Sequence, residues 1–301
     1  MKVAWVGMDD TDTYTTRWHE LRLELRDVHG VILTGNGYSD HRNLLEIEAE
    51  HNPDWIVLDD CNARGSVGVN AAARPSCKIA WREHNWHDPH RKYVANQLQP
   101  DLIMACYDRD NQNDPWRDHP GWRLVPMGIN TDQFYPGDEL EREYPVGLYG
   151  FRGTAYKLRQ KAFMAIRNRK DGWTPTHAGY WTTPKPKSCY NDDLACALRK
   201  VQALWVDGSD YGPVALAKYL EGAASGCILI GERPHKWEDV IPPEADPLIE
   251  CGVEEISAVV DSITPEQRQE VASRTVPYMV EHHSIPSRAR KIMELLGGHH
   301  A

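Results

Sequence analysis

Short apolar runs and amphipathic stretches alternate along the first part of the chain. The runs have the length and composition of strands buried on both faces, and the stretches between them carry apolar residues at helical spacing. This alternation predicts an α/β fold with a mostly parallel sheet covered by helices. Strands are predicted at residues 2–7, 31–34, 55–58, 78–81 and 102–106, and helices at 15–29, 44–51 and 89–98.

The same alternation restarts after residues 135–145, a proline- and acid-rich stretch that we interpret as a linker. The second part therefore predicts another Rossmann-like unit, doubly wound around a parallel sheet. Pro277 is expected to kink or split its helix, because proline lacks the amide hydrogen. Strands are predicted at 146–149, 203–206, 227–230 and 248–250, and helices at 155–169, 213–225, 254–262, 265–281 and 287–296.

The composition limits the class of protein and its partners. The 301 residues suffice for two α/β domains, and the charged fraction of 26% is that of a folded soluble chain. No apolar run approaches the length of a membrane span or of a signal peptide, so we expect a cytoplasmic protein. The net charge of −10 argues against nucleic-acid binding by bulk electrostatics but leaves a local basic groove open. The seven scattered cysteines are predicted to be structural thiols rather than metal ligands or disulfides.

Residues 207–226 are the most informative segment, because a strand, a Gly- and Asp-rich turn and a helix follow one another. The amide end of a helix starting near Pro213 suits a diphosphate. Lys218 and Glu221 share one helix face, where the lysine suits phosphate and the carboxylate suits the two hydroxyls of a ribose. The alternative is an ordinary helix with an exposed Lys–Glu pair.

Three segments carry a resemblance to a known family. Residues 218–230 resemble the LEAMACGCPVI signature of group 1 (family 4-like) glycosyltransferases, and are most similar to the CgeB-like branch. Residues 125–136 resemble the interdomain segment of that family. Residues 281–292 resemble its terminal helix, which crosses back to the first domain. The resemblance covers about residues 120–296, and the first 75 residues share only the general pattern.

The resemblance implies a GT-B fold, in which two Rossmann-like domains face each other across a cleft. The expected domains are residues 1–136 together with the returning helix 284–298, and residues 137–283. It also implies a nucleoside-diphosphate sugar donor of the UDP type, no obligatory metal and no further cofactor, and transfer of a hexose or pentose with retention. Glu221 matches the ribose-binding glutamate. Pro213 replaces the family's other glutamate, for which Asp207 or Asp210 is a substitute by loop geometry.

A second phosphate element is predicted where the first strand of the second unit meets its helix. Gly150 lies at this turn, and Arg152, Lys157 and Arg159 follow it. In the family, a glycine turn and a following cation neutralise the departing diphosphate, which is the electrostatic help the reaction needs. Arg159 and Arg152 are favoured over Lys157, and the alternative is a solvated basic helix face. The predicted donor-binding residues are Gly150, Arg152, Lys157, Arg159, Gly212, Val214, Lys218 and Glu221, with Arg159 and Asp210 also predicted to be catalytic.

The acceptor side is predicted in the loops that follow two strands of the first unit, because ligands of parallel sheets bind beyond the carboxyl ends of strands. His84 is the predicted catalytic histidine, since imidazole titrates near neutrality. A polar structural loop and a metal site are the alternatives for its segment. Two Asp-x-Asp triplets, 10–12 and 108–110, are interpreted as turn and capping residues rather than metal ligands. The other predicted acceptor-side residues are Asp10, Thr11, His87 and Asp88.

Two classes of function remain open on the sequence. The first is a glycosyltransferase acting on a saccharide, a small molecule, a protein or a modified nucleobase in DNA. The second is a non-catalytic or epimerase-like nucleotide-binding protein, which the missing glutamate keeps open. A strand-binding edge for DNA is conceivable where cations and aromatic residues cluster. That cluster comprises Arg167, Arg169, Lys170, Lys185 and Lys187 with Trp173, Tyr180 and Trp181.

Overall fold

The computed structural model of the protein contains two compact units. One comprises the described residues of Met1–Tyr107, Gln112–Gly128 and Ile285–Ala301, and the other those of Ile129–Ser284. The sequence placed the boundaries after residues 136 and 283, so the two divisions differ at the linker by several residues. The structure describes residues 1–7, 16–34, 43–59, 74–83, 98–107, 118–138, 142–150, 156–175, 192–208, 212 and 214–297.

The first unit is built on a six-stranded parallel sheet in the order β2-β1-β3-β4-β5-β6. The central strands are entirely buried, which explains why they read as continuous apolar runs in the sequence. Strand β6 was not predicted, because its residues are only partly buried and form no apolar run. The strands are β1 Val3–Val6, β2 Ile32–Thr34, β3 Trp55–Asp59, β4 Lys78–Glu83, β5 Leu102–Ala105 and β6 Trp122–Leu124.

Three described helices belong to the first unit: α1 Thr16–His29, α2 Leu44–His51 and α8 Ile285–Gly297. Helix α8 contributes Ala289, Ile292 and Leu296 to the core cluster that also holds Trp5 and Leu21. The predicted returning helix therefore completes the core on one face of this sheet. The predicted helix 89–98 lies outside the described residues except for its last position.

The second unit is built on a four-stranded parallel sheet in the order β10-β9-β8-β7. Gly147 pairs with Leu204 on one side, and on the other side it forms a bridge to Trp173, beyond the following helix. The chain therefore leaves β7 and β8 in opposite directions, which makes their carboxyl ends a topological switch point. The strands are β7 Tyr144–Gly147, β8 Val201–Val206, β9 Ile228–Gly231 and β10 Leu248–Glu250.

The helices of the second unit correct two predictions. The helix predicted from Pro213 begins at Ala217, because residues 214–216 are not helical and Leu216 is its N-cap. The helix containing Pro277 is unbroken over its 19 residues, so the predicted split is wrong. The described α-helices of this unit are α3 Lys157–Asn168, α4 Asp192–Arg199, α5 Ala217–Ala224, α6 Ile256–Ser262 and α7 Pro265–His283.

Gly226 ends helix α5 as the sequence predicted, with a φ of 70°. The amide of Cys227 donates to the carbonyl of Gly222 and the amide of Gly226 donates to that of Ala223, which is the Schellman pattern. The ideal Cβ of a residue at position 226 would lie 3.2 Å from Nη2 of Arg142. Both backbone conformation and packing therefore require glycine at the point where α5 passes into β9.

No helix in the described part of the chain is long and apolar enough to cross a membrane.

Candidate functional site

Asp207 lies buried between two cations at the carboxyl end of β8. Its Oδ1 accepts hydrogen bonds from Nε of Arg159, at 2.8 Å, and from Nζ of Lys218. Nη2 of Arg159 lies 2.7 Å from the same oxygen, and Nε1 of Trp205 donates to Oδ2 at 3.2 Å. Asp207 is only 1% exposed. One carboxylate therefore fixes the positions of an arginine from α3 and a lysine from α5.

Burial lowers the pKa of both cationic side chains. It lowers the pKa of Arg159 to about 10, although three tyrosines nearby, Tyr156, Tyr219 and Tyr149, act in the opposite direction. Burial lowers the pKa of Lys218 well below its ordinary value, and the charge of Arg159 lowers it further. The charge of Glu232 opposes this shift, and the contact with Asp207 also favours the charged ammonium. A second anion entering next to these groups would stabilise their charged forms.

Gly150 packs closely against the Arg159 guanidinium, where a side chain would not fit. The glycine has a φ of 110°, in the left-handed region, and its ideal Cβ would lie 3.1 Å from Nη1 of Arg159. The other face of the guanidinium packs on the ring of Tyr156, with Cζ 4.1 Å from the ring centroid. Because Nε and Nη2 contact Asp207, Nη1 is the arginine nitrogen on the Gly150 side. The glycine turn and the cation predicted from sequence are thus adjacent.

Glu221 is buried on the same helix as Lys218. The two side chains are 3% and 5% exposed, so the alternative of an exposed Lys–Glu pair is wrong. The hydroxyl of Tyr149 donates to Oε2 of Glu221. The ring of Tyr149 lies 6.4 Å from that of Trp173, between centroids, at an angle of 49°. The cluster of Tyr149, Trp173 and Glu221 therefore lies at the carboxyl end of β7. The cluster of Asp207 with its two cations lies next to it, at the end of β8.

A pocket of about 230 Å³ opens at this switch point. Arg159 and Asp207 line it, so the ion pair faces the cavity. Glu232 lines it from the end of β9, and its Oε2 accepts a hydrogen bond of 2.8 Å from the amide of Gly208. The remaining lining residues are Tyr156, Leu158, Gly208 and Gly212. The pocket is thus polar, charged and placed where α/β sheets bind ligands.

The predicted diphosphate site was the amide end of a helix starting near Pro213, but helix α5 starts at Ala217. No side chain caps the first turn, because the N-cap is Leu216. Val214 is buried, and its carbonyl accepts a hydrogen bond of 2.9 Å from the amide of Leu216. The amide end of the helix therefore belongs to Ala217 and the residues after it, four positions later than the sequence indicated.

The structure brings several predicted donor residues together and separates one. Gly150, Arg159, Gly212, Lys218 and Glu221 lie around the ends of β7 and β8, whereas Lys157 is exposed at the start of α3. The predicted residues Asp10, Thr11, His84, His87, Asp88, Arg152 and Asp210 lie outside the described residues, as do both Asp-x-Asp triplets.

The proposed basic edge is partly described. Arg169 is paired with Asp171 at 3.1 Å and with Asp261 at 2.8 Å, and the hydrogen bond to Asp261 is the main cause of its raised pKa. These acidic partners reduce the positive charge that this arginine presents to a polyanion. Tyr180, Trp181, Lys185 and Lys187 lie outside the described residues.

Sequence reasoning missed Glu232, Tyr149 and Trp205 as members of the site. Glu232 follows an apolar run and belongs to no motif, and only its place at the end of β9 points to the pocket. Tyr149 and Trp205 read as core residues of strands. The signal that finds them is positional, since each lies at or near the carboxyl end of a strand of one parallel sheet.

The first unit has its own buried charged cluster at the carboxyl ends of strands. Asp59 lies 3.4 Å from Nε of Arg22 and 3.7 Å from Nη1 of Arg82, and Nε1 of Trp5 donates to it at 3.2 Å. All three charged side chains are buried. Strands β1, β3 and β4 each end here, and the segments that contain the predicted acceptor-side residues follow β1 and β4. Within the described residues, no group of three or more His, Cys, Asp or Glu side chains is arranged to hold a metal ion.

Two parallel α/β units, the second with a pocket at its switch point, are the parts of the GT-B fold that the sequence predicted, and the likeness to solved structures confirms that fold. Comparison with solved structures gives the particular likenesses. HepE of Anabaena, solved in complex with UDP-glucose, has a TM-score of 0.60 at 10% identity, over 99% of this chain and 100% of that one. An α-glucosyltransferase solved with UDP and a mismatched 13-mer DNA has a TM-score of 0.56 at 11% identity, over 98% and 99%.

A third structure, OtsA without ligand, has a TM-score of 0.52 at 11% identity, over 93% of this chain and 77% of that one. At such identities the likeness establishes the fold and nothing finer. No protein-family model matches the chain. No curated protein matches it in sequence either. The CgeB-like branch therefore stays a prediction.

Proposed function

We propose that this protein is a glycosyltransferase that moves a sugar from a nucleoside-diphosphate sugar to an acceptor hydroxyl. The observation that carries the proposal is the pocket at the switch point of β7 and β8, into which the Arg159–Asp207 ion pair faces. The GT-B fold supports it, because structures with that fold have been solved with UDP-glucose and with UDP. A UDP-type donor, without metal or other cofactor, is part of the proposal.

Each donor residue has a role in this scheme. Arg159 and Lys218 neutralise the diphosphate, and the turn at Gly150 lets the diphosphate approach Nη1 of the arginine. Glu221 accepts the ribose hydroxyls, for which the Tyr149 hydroxyl now substitutes as donor. Asp207 keeps the two cations in place when no diphosphate is bound, since buried charges are stable only when paired.

The reaction breaks the bond between the anomeric carbon and the diphosphate oxygen. The acceptor oxygen forms the new bond to that carbon, and its proton passes to a base, for which His84 is our candidate. Charge develops on the leaving diphosphate, so preorganised cations at that position lower the barrier. Removing one such donor from an enzyme typically costs about 10²–10³ in kcat. We further propose retention of configuration, in keeping with the family resemblance. Retention requires the acceptor oxygen to attack from the face that the diphosphate leaves.

Four classes of acceptor fit the proposal. A modified nucleobase in DNA is supported by the fold shared with a transferase solved on DNA, and is opposed by the net charge of −10. Saccharides, small molecules and proteins remain in the proposal. Retention of the protein on hydroxymethylated DNA, falling steeply with salt, would favour DNA; no retention at low salt would remove it.

Nucleotide binding tests the proposal directly. In a thermal-shift series with UDP, GDP, ADP and TDP, we expect UDP to raise Tm most. A ligand at 100 times its Kd stabilises the native state by about 2.7 kcal/mol. A panel of UDP-sugars should then release free UDP slowly in water and faster with the acceptor, with EDTA present throughout. If all four nucleotides leave Tm unchanged, the proposal fails and the chain is another kind of α/β protein.

A further inference from the structure

The family resemblance leaves one role empty in the donor site. Pro213 stands where related transferases carry a glutamate near the donor sugar, and the sequence offered Asp207 or Asp210 instead. Asp210 lies outside the described residues. The hydrogen bonds of Asp207 show that it is not suited to take the place of that glutamate. Its Oδ1 is taken by Arg159 and Lys218, its Oδ2 accepts from Trp205, and the residue is only 1% exposed, so it offers a sugar hydroxyl little access.

Glu232 occupies a different position in the same pocket. It follows β9 directly, and its amide donates to the carbonyl of Val206 at 3.0 Å, which holds it beside the end of β8. Gly231 before it has a φ of 130°, and an ideal Cβ there would lie 2.2 Å from the same carbonyl. The glycine therefore lets the two strand ends approach, and the approach brings the Glu232 side chain to the pocket.

The bonds that Glu232 makes leave its carboxylate suited to a ligand. Oε2 accepts the Gly208 amide at 2.8 Å, and among the described residues this is the side-chain hydrogen bond that the structure gives it. The residue is half-buried and lines the same pocket as Arg159. A carboxylate with remaining acceptor capacity in a partly desolvated pocket suits neutral hydroxyl donors and disfavours a second negative charge.

We infer that Glu232 is the residue that reads the donor sugar, accepting hydrogen bonds from its hydroxyls and excluding sugars that carry a carboxylate. The inference rests on the proposed function, because it assigns the sugar end of the same donor site. Arg159 and Lys218 mark the diphosphate end, and Glu232 lines the pocket from the neighbouring strand end. The donor class is therefore a nucleoside diphosphate linked to a neutral sugar.

The test compares binding of UDP, UDP-glucose and UDP-glucuronic acid to the full chain by calorimetry. Glu232→Gln keeps an oxygen for the Gly208 amide but removes the charge. We expect its affinity for UDP to stay within about twofold of the native value. Its preference for UDP-glucose over UDP-glucuronic acid should fall about tenfold, the scale of one charge-assisted hydrogen bond of roughly 1.5 kcal/mol. Glu232→Asp keeps the charge, so it should still reject the uronate while binding UDP-glucose less tightly.

Glu244→Gln is the matched control, because Glu244 is an exposed carboxylate in the same unit. It should leave all three affinities unchanged. If Glu232→Gln keeps the native ranking of the two sugars while UDP still binds, the inference is overturned and the proposed function stands. If the native protein binds none of the three ligands, the proposed function itself fails. Equal melting temperatures of the variants without ligand confirm that folding does not account for the result.

Discussion

Glu221 and Tyr149 form the pair on which nucleoside binding is expected to depend. Removing the carboxylate with Glu221→Ala takes away the ribose contact and leaves the Tyr149 hydroxyl without this buried acceptor. We expect UDP affinity to fall by about 1.5–3 kcal/mol, the range for hydrogen bonds to a charged group. Calorimetry with UDP and with inorganic pyrophosphate, which has no ribose, measures it, since only the binding of UDP should weaken.

Tyr149→Phe is the companion variant for this prediction. It removes the hydroxyl that occupies Glu221 in the ligand-free protein but keeps the ring beside Trp173. UDP binding should be retained or tightened, because the ribose hydroxyls no longer have to displace the Tyr149 hydroxyl from the Glu221 carboxylate. Equal losses of UDP affinity in the two variants would show that the Glu221–Tyr149 pair stabilises the fold and does not contact the ribose.

The lowered pKa of Lys218 predicts how nucleotide binding depends on pH. Its ammonium should lose its proton at a pH well below the ordinary 10.5, because burial and the charge of Arg159 both favour the neutral amine. UDP affinity should therefore fall as the pH rises through that lowered pKa. In Lys218→Met the affinity should be weak throughout and the decline in this window should disappear. A decline of the same size in both proteins would assign the titration to another group.

For individual residues, the sequence identified members of the site better than it identified their hydrogen-bond and ion-pair partners. Arg159, Lys218 and Glu221 were all identified from spacing and resemblance. Asp207 was named only as a substitute for the missing glutamate, and Tyr149 was not named. No local pattern encodes which carboxylate or hydroxyl from another strand will face these side chains. Glu232 was missed for the same reason.

Among the secondary-structure elements, two glycines offer a matched test of helix termination. Gly30 and Gly226 end α1 and α5 with φ values of 68° and 70°. An ideal Cβ at Gly30 would meet nothing within 4 Å, whereas at Gly226 it would lie 3.2 Å from both Arg142 and Pro136. Gly30→Ala should cost about 1–2 kcal/mol, the penalty of a left-handed conformation alone.

Gly226→Ala should cost more, since the added methyl also displaces the Arg142 guanidinium from its carbonyl partners at Leu198 and Ser225. Urea unfolding of the two variants measures the difference directly. Equal costs would mean that Arg142 moves aside freely and does not anchor the end of α5.

The elements also show where sequence patterns stop being informative. The strands of the two sheets were predicted to within a few residues, because apolar runs bounded by turns report burial directly. Helix α5 was placed too early by its proline. Proline at position 213 suits a first helical turn, but the chain stays non-helical to Leu216, and tertiary packing at Val214 decides the start. The 3-residue strand β6, with no apolar run, gave no signal.

For the molecule as a whole, the returning helix α8 is the element whose loss should matter most to one unit. Ile292 is fully buried against the first sheet, so Ile292→Ala should destabilise the fold by about 2–5 kcal/mol. Hydrogen exchange should show a larger loss of protection in β1 than in β8. Lys291→Ala, one residue earlier on the exposed face, should change stability by no more than about 0.5 kcal/mol. Similar losses in both strands would mean that the units unfold as one.

The sequence predicted the two-unit architecture because both sheets repeat the same alternation, and it predicted the return of the last helix by resemblance. The exact division of the chain was harder to predict. Phe134 and Pro136, which we assigned to the first domain, belong to the second unit. A proline-rich stretch marks a linker by composition, but which side it packs against depends on contacts such as that of Gly137 with Arg199, 62 positions away.

The passage of the chain out of the first unit and back again has a consequence for synthesis on the ribosome. The described residues of the second unit all lie within Ile129–Ser284, and its four described strands are complete as soon as that stretch has emerged. The first sheet emerges earlier, yet the face that α1 covers in part is completed only when Ile285–Gly297 is translated. The half that is made first is therefore finished last, and part of its apolar core is exposed while the second unit is being made, which favours aggregation or chaperone binding.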